Sequence, residues 1–552
     1  MRSRHAIRIA ALAVVVALVL IVAEPVLRRL WPRTPGVLVG AGDIASCESE
    51  GDEATAGLLD RLDGVVVTLG DNAYGWGRPE EFEQCYGPSW GRHIARTMPT
   101  PGNHDYLTGT AHGYFQYFGP SAGGASGGYY SYNLGAWHIV ALNSNCGDGW
   151  DPEGCEPDSE QVAWLAADLA ANPTTCTLAY FHHPLFSSGL EHNVDLTVLP
   201  IWQVLYEAGV DVVLNGHDHD YERFATQDPY GQPDSRGIRQ FVVGTGGESL
   251  RPQRFPLVSN SEVFNSDAYG VIKLTLRDGG YDWEFVPVDG AEFRDAGSGV
   301  CIEGQNPAPV LRKRNVQAVM DDRPAGFWRL NDRDGVIARD VLGMAHGAYD
   351  QRNPPGPGAL LDDPDLAAAF DGRRSRVVVG DLFDFSENAP FSFAVWVYPS
   401  VEDRAYRRVL SKDAYDGRQR INRGWALSHQ RGEYVFFRYG ADGVGTEAVV
   451  RSPLPLGEWS HLAGVYDGAV MRLYKNGREV ASAESAVRLP DLGEPFTIGA
   501  SASGADYFRG RIDEVAIFDY ALSAEQVRDQ FLVNAPRRAP RPQAHAATPE
   551  TR

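Results

Sequence analysis

Short apolar runs alternate with helical patterns over the first half of the chain. Apolar positions at helical spacing predict helices at residues 159–171 and 198–208. The alternation of strands and helices is typical of a layered α/β domain. The runs that predict buried strands, each bounded by Gly, Asp, Asn or His, are residues 37–39, 65–69, 138–142, 177–181 and 210–214.

The pattern changes near residue 323, where strand-length apolar segments follow one another with turns between them. Lys475-Asn476-Gly477-Arg478 predicts a tight hairpin, because Asn-Gly tolerates positive φ at both turn positions. The first helical pattern after these strands is at 523–531. This predicts an all-β sandwich. The strand segments are 391–398, 433–439, 461–466, 471–475 and 515–520.

These patterns divide the chain of 552 residues into segments. An α/β domain is expected over 36–299, a linker over 300–322 and the β-sandwich over 323–533. The tail at 534–552 is rich in Pro, Arg and Ala and is expected to be disordered.

The N-terminus predicts export. Basic residues precede an apolar run at 9–23, which suits a signal peptide and is short for a membrane span. Residues 1–30 are therefore a cleaved signal or a retained anchor, and the protein is secreted or anchored facing outside. An even count of six cysteines then suggests disulfides, with fifteen pairings possible if all are bonded. Cys146 and Cys155 close a short loop and are one plausible pair.

A formal net charge of -22 disfavours nucleic acid as a partner, since such a surface repels phosphate backbones. It does not bear on small phosphate esters, whose binding depends on local charge at the site.

Five polar segments carry the candidate chemistry. Four of them directly follow a predicted buried strand, so their side chains should converge at one sheet edge, where α/β ligand sites form. Their Asp, Asn, His and Tyr donors suit iron, zinc and manganese. The segments are Gly42-Asp43, Gly70-Asp71-Asn72-Ala73-Tyr74, Gly102-Asn103-His104-Asp105, His182-His183-Pro184 and Gly216-His217-Asp218-His219.

Together these segments resemble the calcineurin-like metallophosphoesterases and, more narrowly, the purple acid phosphatases. The resemblance covers about residues 37–287 and implies a four-layer α/β/β/α sandwich. Typical members of the superfamily have a His ligand where this chain has Ala45, and Tyr74 supplies the missing donor if it coordinates as in the purple acid phosphatases. Those phosphatases usually carry Gly at the position of Ala45.

The resemblance implies two metal ions, Fe(III) with Zn, Mn or Fe(II), bridged by Asp71. His182 is the expected ligand and His183 is expected to support it. The first ion would take Asp43, Asp71, Tyr74 and His219, and the second Asp71, Asn103, His182 and His217.

The same resemblance assigns the catalytic residues. His104, oriented by the neighbouring Asp105, is the first candidate to protonate the leaving group. His192 is the second candidate, and its position resembles a family His that contacts the phosphate. Asn103, His104 and His192 are the expected substrate contacts.

The second domain resembles laminin-G-like, concanavalin-type jelly rolls. Segments such as Trp459-Ser460-His461-Leu462-Ala463 carry this resemblance, which covers about residues 323–531. It implies a glycan or other surface polymer as a partner and calcium as a second cofactor, although no acidic cluster is specific enough to name ligands.

The leading hypothesis is therefore an exported phosphomonoesterase that acts on small phosphate esters. A phosphodiesterase or nucleotidase on the same site is an alternative. The third hypothesis is a surface-binding protein whose phosphoesterase domain is inactive, against which the complete ligand set counts.

Overall fold

The computed structural model of the chain describes residues 35–123, 127–146, 154–157, 159–192, 194–302, 315–332, 335–351, 355–360, 366–401, 405–416, 421–430, 433–450 and 454–533. The chain forms two compact units, Met1–Val310 and Leu311–Arg552. The predicted signal segment and the predicted disordered tail lie outside the described residues. Among the described residues, no helix is long and apolar enough to cross a membrane.

The first unit contains strands and helices in alternation. Its helices are α1 (Gly51–Leu59), α2 (Pro79–Glu81), α3 (Asn103–Tyr106), α4 (His112–Phe118), α5 (Glu160–Ala171) and α6 (Leu199–Glu207), with a π-helix at Phe82–Tyr86 and 3₁₀-helices at Trp90–Arg96, Gly119–Ala122 and Leu196–Val198. Its strands are β1 (Gly36–Ala41), β2 (Val65–Leu69), β3 (Thr97–Thr100), β4 (Tyr130–Leu134), β5 (Trp137–Ala141), β6 (Cys176–Tyr180), β7 (Val212–Asn215), β8 (Tyr221–Phe224), β9 (Arg239–Val243), β10 (Ser261–Asn265), β11 (Gly270–Arg277), β12 (Gly280–Pro287) and β13 (Ala296–Val300).

These strands form two sheets. One has the order β13-β12-β11-β1-β2-β3 and the other β10-β8-β9-β7-β6-β5-β4. Strands β1, β2 and β3 are parallel, as are β5, β6, β7 and β9. One apolar core takes buried side chains from both sheets, including Leu38 and Val67 from the first and Leu178 and Val212 from the second. The predicted four-layer sandwich is confirmed.

Strand β3, which precedes one of the five polar segments, is among the strands that hydrophobic patterning missed. Its four residues, Thr-Met-Pro-Thr, include Pro99 and are too short and too polar to stand out. The strand lies at the edge of its sheet, where a proline without an N–H is tolerated. The segment Gly102-Asn103-His104-Asp105 therefore also follows a strand.

The predicted linker at 300–322 contains regular structure towards both ends. Val300 completes β13, and Cys301 forms a disulfide with Cys176, which ties this stretch to the first unit. Residues Asn315–Asp321 form a helix, α7. The sequence did not show either feature, because both depend on partners far along the chain.

The second unit is an antiparallel β-sandwich, as predicted. Its sheets have the orders β17-β18-β29-β20-β25-β26-β27, with β14 paired to β29, and β15-β16-β19-β28-β21-β22-β23-β24. A helix, α8 (Ala524–Leu532), follows the last strand. The strands are β14 (Gly326–Trp328), β15 (Ile337–Ala338), β16 (Gly347–Tyr349), β17 (Pro355–Pro357), β18 (Leu366–Asp371), β19 (Val377–Gly380), β20 (Phe391–Pro399), β21 (Arg407–Asp416), β22 (Ile421–Gln430), β23 (Glu433–Tyr439), β24 (Gly445–Val450), β25 (Ser460–Tyr466), β26 (Val470–Lys475), β27 (Arg478–Glu484), β28 (Phe496–Ile498) and β29 (Arg509–Phe518).

Local turn chemistry explains the hairpin between β26 and β27. Asn476 and Gly477 have φ of +52° and +71°, and Lys475 pairs with Arg478 across the turn. Positive φ at both central positions is the type I′ geometry that matches strand twist.

Candidate metal centre

The predicted donor side chains come together at the carboxyl ends of parallel strands. Strands β1, β2 and β3 belong to one sheet and β6 and β7 to the other. The donors therefore meet between the edges of two sheets, which corrects the expectation of a single sheet edge. Asp43 follows β1, Asp71 and Tyr74 follow β2, Asn103 and His104 follow β3, His182 follows β6, and His217 and His219 follow β7.

Four donor atoms form a first group around the Tyr74 hydroxyl. Tyr74 Oη lies 2.8 Å from Asp43 Oδ1, 2.9 Å from Asp71 Oδ2 and 3.1 Å from His219 Nε2. His219 Nε2 lies 3.3 Å from Asp43 Oδ1. Ligands about 2.1 Å from a metal ion and at right angles to each other are about 3 Å apart. The first group therefore has the spacing of a coordination shell.

The hydrogen-bonding capacity of Tyr74 also points to a cation. Its hydroxyl has one proton, yet two carboxylate oxygens and an imidazole nitrogen surround it. One proton cannot be donated to both carboxylate oxygens at once. A metal ion bound by a phenolate oxygen and the other three atoms would satisfy the whole group.

A second group forms around Asn103. Asn103 Oδ1 lies 2.9 Å from His182 Nε2 and 3.1 Å from His217 Nδ1, and these two nitrogens are 3.1 Å apart. His182 Nε2 lies 3.4 Å from Asp71 Oδ2. The same Asp71 oxygen thus touches both groups, which is the position that a bridging carboxylate needs.

Hydrogen bonds to the outer nitrogens orient two of these histidines. His182 Nδ1 donates to the Leu69 carbonyl at 2.8 Å, which leaves the Nε2 lone pair facing the second group. His219 Nδ1 faces Ser249 Oγ at 2.8 Å and Glu248 Oε2 at 3.1 Å. Metal-binding histidines commonly have such a partner on the other nitrogen.

Both carboxylates are fully buried and held by main-chain N–H groups. Asp43 Oδ2 accepts from the His217 N–H, and Asp71 Oδ1 from the His104 N–H, each at 2.8 Å. Asp43, Asp71 and His217 have φ of +59°, +48° and +74°. Non-glycine residues rarely adopt this left-handed conformation, and when they do they often lie at functional sites.

The electrostatics are those of an anionic site. Burial by itself would raise the pKa of Asp71, but His182 outweighs it and holds that pKa below its usual range. Burial opposes the charged form of His182 and His219, yet Asp71 and Asp43 respectively raise the pKa of each to about 9. Burial, with Asp43 and Asp71, raises the pKa of Tyr74 well above its ordinary value. These residues would bind positive charge strongly.

The predicted role of Asp105 in orienting the His104 ring is wrong. The Asp105 carboxylate is fully buried and accepts hydrogen bonds from the Gly102 and Asn72 main chain and the Asn72 side chain. It therefore holds two turns of the site together. The His104 ring hydrogen-bonds the Gly75 carbonyl through Nδ1 at 2.9 Å and packs 4.3 Å from the Tyr74 ring.

His192 and His183 flank the second group. The His192 ring packs on His217 with centroids 3.8 Å apart, so His192 reaches the site from a distant loop. His183 Nδ1 lies 2.9 Å from Ser144 Oγ, while its ring is 4.4 Å from His217. His182, His183 and His217 each offer a nitrogen within 4.8 Å of the others. Arg251, which sequence patterning did not single out, lies beside His192.

An acidic cluster in the second unit has a cation of its own. Asp381, Asp384 and Asp491 each place an oxygen within 4.8 Å of the others. The buried Lys412 Nζ lies 2.5 Å from Asp381 Oδ1 and 3.1 Å from Asp384 Oδ2. The amine already supplies positive charge, so this cluster gives no support to the expected calcium.

Comparisons with known proteins agree with this geometry. Residues 38–221 match the calcineurin-like phosphoesterase model, and residues 371–528 match the concanavalin A-like lectin/glucanases superfamily model. Purple acid phosphatase 15 of Arabidopsis thaliana is 26% identical over 249 residues, covering 39% of this chain and 45% of the relative. Probable purple acid phosphatase 20 of the same plant is 33% identical over 135 residues, covering 23% and 29%.

The chain spans less than half the length of these two relatives. A solved purple acid phosphatase, PPD1 from yellow lupin (Lupinus luteus) seeds, aligns with a TM-score of 0.40 and 19% identity over 49% of this chain and 54% of that one. The predicted resemblances are confirmed: residues 38–221 are similar to the calcineurin-like phosphoesterases, with purple acid phosphatases among the relatives, and residues 371–528 to the concanavalin A-like domains.

Proposed function

We propose that the first unit hydrolyses phosphate monoesters with the help of two metal ions. The observation that carries this proposal is the position of Asp71 Oδ2, which lies 2.9 Å from Tyr74 Oη in one donor group and 3.4 Å from His182 Nε2 in the other. A carboxylate oxygen that lies close to both donor groups could bind two cations about 3.5–4 Å apart. The purple acid phosphatase relatives support the same chemistry.

Tyr74 indicates which metal the first group would hold. A phenolate is a hard anionic donor, so together with Asp43, Asp71 and His219 it favours Fe(III). Asn103, His182 and His217 with Asp71 suit Zn, Mn or Fe(II). Two such ions, when bound, neutralise the phosphoryl oxygens and acidify the water that attacks phosphorus.

Three side chains at the two donor groups would contact the substrate or donate a proton to it. Asn103 belongs to the second group and His192 packs beside it, so both are placed to contact phosphoryl oxygens. His104 is the proton donor to the leaving oxygen, because the bond from Nδ1 to the Gly75 carbonyl fixes the ring and leaves Nε2 for proton transfer.

Asp71→Asn tests the metal assignment directly. The amide removes the negative charge from the one atom shared by both groups, so we expect the metal content to fall and kcat/KM for p-nitrophenyl phosphate to drop by at least ~10³-fold. Metal content by mass spectrometry and steady-state kinetics are the measurements. Asp289→Asn, at an exposed carboxylate paired with Arg61, is the matched control. A fully active Asp71→Asn protein would refute the assignment.

The competing functions predict different substrate preferences. Purified protein should hydrolyse p-nitrophenyl phosphate faster than bis(p-nitrophenyl) phosphate. Faster turnover of the diester would favour the phosphodiesterase alternative. Turnover of neither ester by protein with both metals bound would favour a binding protein with an inactive phosphoesterase domain.

We also propose that the protein is exported. Three disulfides join Cys47 to Cys85, Cys146 to Cys155 and Cys176 to Cys301, a density typical of oxidising compartments. Fractionation of cells that express the whole chain tests this, and mass spectrometry of the N-terminus separates a cleaved signal from a retained anchor. Recovery of the protein with reduced thiols inside the cell would contradict export.

For the second unit we propose a glycan or another surface polymer as the partner. Support comes from the family description and from the surface around Trp459, whose ring lies 5.4 Å from Tyr398 with Arg511 nearby. Trp425 and Trp396 are buried and serve the core. Trp459→Ala should weaken retention on a binding polysaccharide, whereas Trp76→Ala, at an exposed tryptophan of the first unit, should not.

A further inference from the structure

Arg251 is held against the metal centre although it belongs to neither donor group. Its main-chain N–H donates to the His219 carbonyl at 3.0 Å, which fixes its backbone beside a residue of the first group. Its Nη1 lies 3.5 Å from His192 Nε2, and the His192 ring packs 3.8 Å from His217. A guanidinium thus lies one side chain beyond the second donor group.

The carboxylate that pairs with Arg251 is replaceable. Nη1 lies 2.8 Å from Glu191 Oε2, with the Arg251 side chain 25% exposed and the Glu191 side chain 56% exposed. An ion pair this open to water contributes little stability. An anionic group on a substrate could therefore displace Glu191 without a large loss.

The chemistry of the guanidinium indicates what would replace Glu191. Its planar fork of N–H donors matches the two oxygens of a carboxylate or a phosphate, and such charge-assisted bonds are strong. The scissile phosphoryl group would be bound by the two metal ions of the donor groups and by His192. Arg251, on the outer side of His192, is then available for a second charge on the same molecule.

We propose that Arg251 is a specificity-determining residue that binds a second anionic group, a carboxylate or a further phosphate, on phosphomonoester substrates. This inference rests on the proposed phosphatase function and names a substrate class for it. Glu191 acts as the internal competitor for the same guanidinium.

Two phosphonates that differ in one charge provide the probe. 3-Phosphonopropionate carries a carboxylate where propylphosphonate ends in a methyl group, and neither is hydrolysed. Calorimetric titration of the metal-loaded protein should show about 10-fold tighter binding of the carboxylate ligand, the value of one charge-assisted hydrogen bond. Arg251→Gln should abolish this preference, and Arg251→Lys, which keeps the charge but loses the fork, should retain part of it.

Glu191→Gln should shift the result in the opposite direction. Removing the competitor frees the guanidinium, so the preference for 3-phosphonopropionate should increase several-fold. Arg61→Gln, which breaks an exposed Arg–Asp pair away from the site, should leave the preference unchanged.

The outcomes separate this inference from the proposed function. Equal weakening of both phosphonates by Arg251→Gln would mean that Arg251 only positions His192, and would overturn the inference. Turnover of p-nitrophenyl phosphate without a preference for the carboxylate ligand in the unaltered protein would also overturn it. No turnover and no binding of either phosphonate would overturn the proposed function and this inference together.

Discussion

At the scale of single residues, Tyr74 shows how one side chain selects among related chemistries. The chain has Ala45 where typical metallophosphoesterases have a metal-binding His, and the Tyr74 hydroxyl instead lies within 3.1 Å of Asp43, Asp71 and His219. Burial and the two carboxylates raise the pKa of Tyr74, so the phenolate would need a strongly charged ion to form. The Fe(III) proposed for the first group would meet this requirement.

Tyr74→Phe should therefore remove colour without unfolding the protein. The ring stays packed against His104, but the oxygen that would bind iron is gone. Purified unaltered protein should show a tyrosinate-to-iron absorption band in the visible spectrum, and the variant should lack it. Metal analysis and circular dichroism of the same samples control for lost iron and for misfolding. A band that persists in the variant would show that another group binds the iron.

His461 predicts how the second unit responds to acid. This imidazole lies on β25 and is buried against Trp396 and Phe531, and burial lowers its pKa to about 3. A histidine in the unfolded chain titrates near pH 6.5, so between pH 6.5 and 3 the unfolded chain binds a proton that the folded chain does not. The free energy of unfolding therefore falls as pH drops through this window, by about 1.4 kcal/mol per pH unit.

His461→Phe should remove this dependence. We expect the unaltered second unit to lose about 2 kcal/mol more stability than the variant between pH 7.5 and 5.0. Denaturant unfolding of the whole protein at both pH values measures the difference, with protection of β25 from hydrogen exchange reporting on this unit. Equal losses in the two proteins would show that His461 is accessible to protons in the folded state.

At the scale of elements, the site is built from turns that follow strands, and residues in these turns have positive φ. Asp71 has positive φ, and Gly70 before it has φ of +83°. A Cβ on Gly70 would lie 2.5 Å from His182 Nδ1. The turn after β2 thus brings the first sheet into direct contact with a histidine of the second sheet, and only glycine leaves room for it.

Gly70→Ala should damage both stability and metal binding. The left-handed conformation costs an L-residue about 1–2 kcal/mol, and the methyl group would push His182 away from Asn103. We expect a lower midpoint of thermal unfolding and loss of the second metal ion. Gly279→Ala is the matched control, because Gly279 has φ of +78° with no atom within 4 Å of the added Cβ. Full metal occupancy in Gly70→Ala would contradict this account.

At the scale of the whole molecule, the disulfides connect distant parts of the first unit. Cys176 begins β6, the strand that leads to His182, and Cys301 follows β13, at a sequence separation of 125. Cys146 and Cys155 are separated by 9. In the chain-entropy model, the longer loop restricts the unfolded state more.

Replacing both Cys176 and Cys301 with Ser should therefore lower the free energy of unfolding of the first unit by about 2–5 kcal/mol. The same replacement at Cys146 and Cys155 should cost less. Urea unfolding under non-reducing conditions compares the two variants with the unaltered protein. Equal costs would show that loop length does not govern these disulfides.

The sequence by itself determined features that depend on neighbouring residues. Apolar runs predicted the strands at 65–69 and 433–439 with the observed bounds, and Asn476-Gly477 predicted its hairpin. Polar segments behind the predicted strands of the first domain indicated which side chains would meet, because a strand end is a local feature, and the resemblance to the purple acid phosphatases then implied the individual ligands. The spacing of Cys146 and Cys155 likewise indicated their pairing.

Only the tertiary structure decided which distant residues meet. It placed the donors between two sheets, turned Asp105 toward Asn72, gave His104 the Gly75 carbonyl and brought Arg251 to His192. It also selected one disulfide pairing and revealed β3 at a sheet edge. These contacts depend on the paths of long loops and on packing between layers, where many arrangements satisfy the same local patterns and only the complete set of contacts selects one.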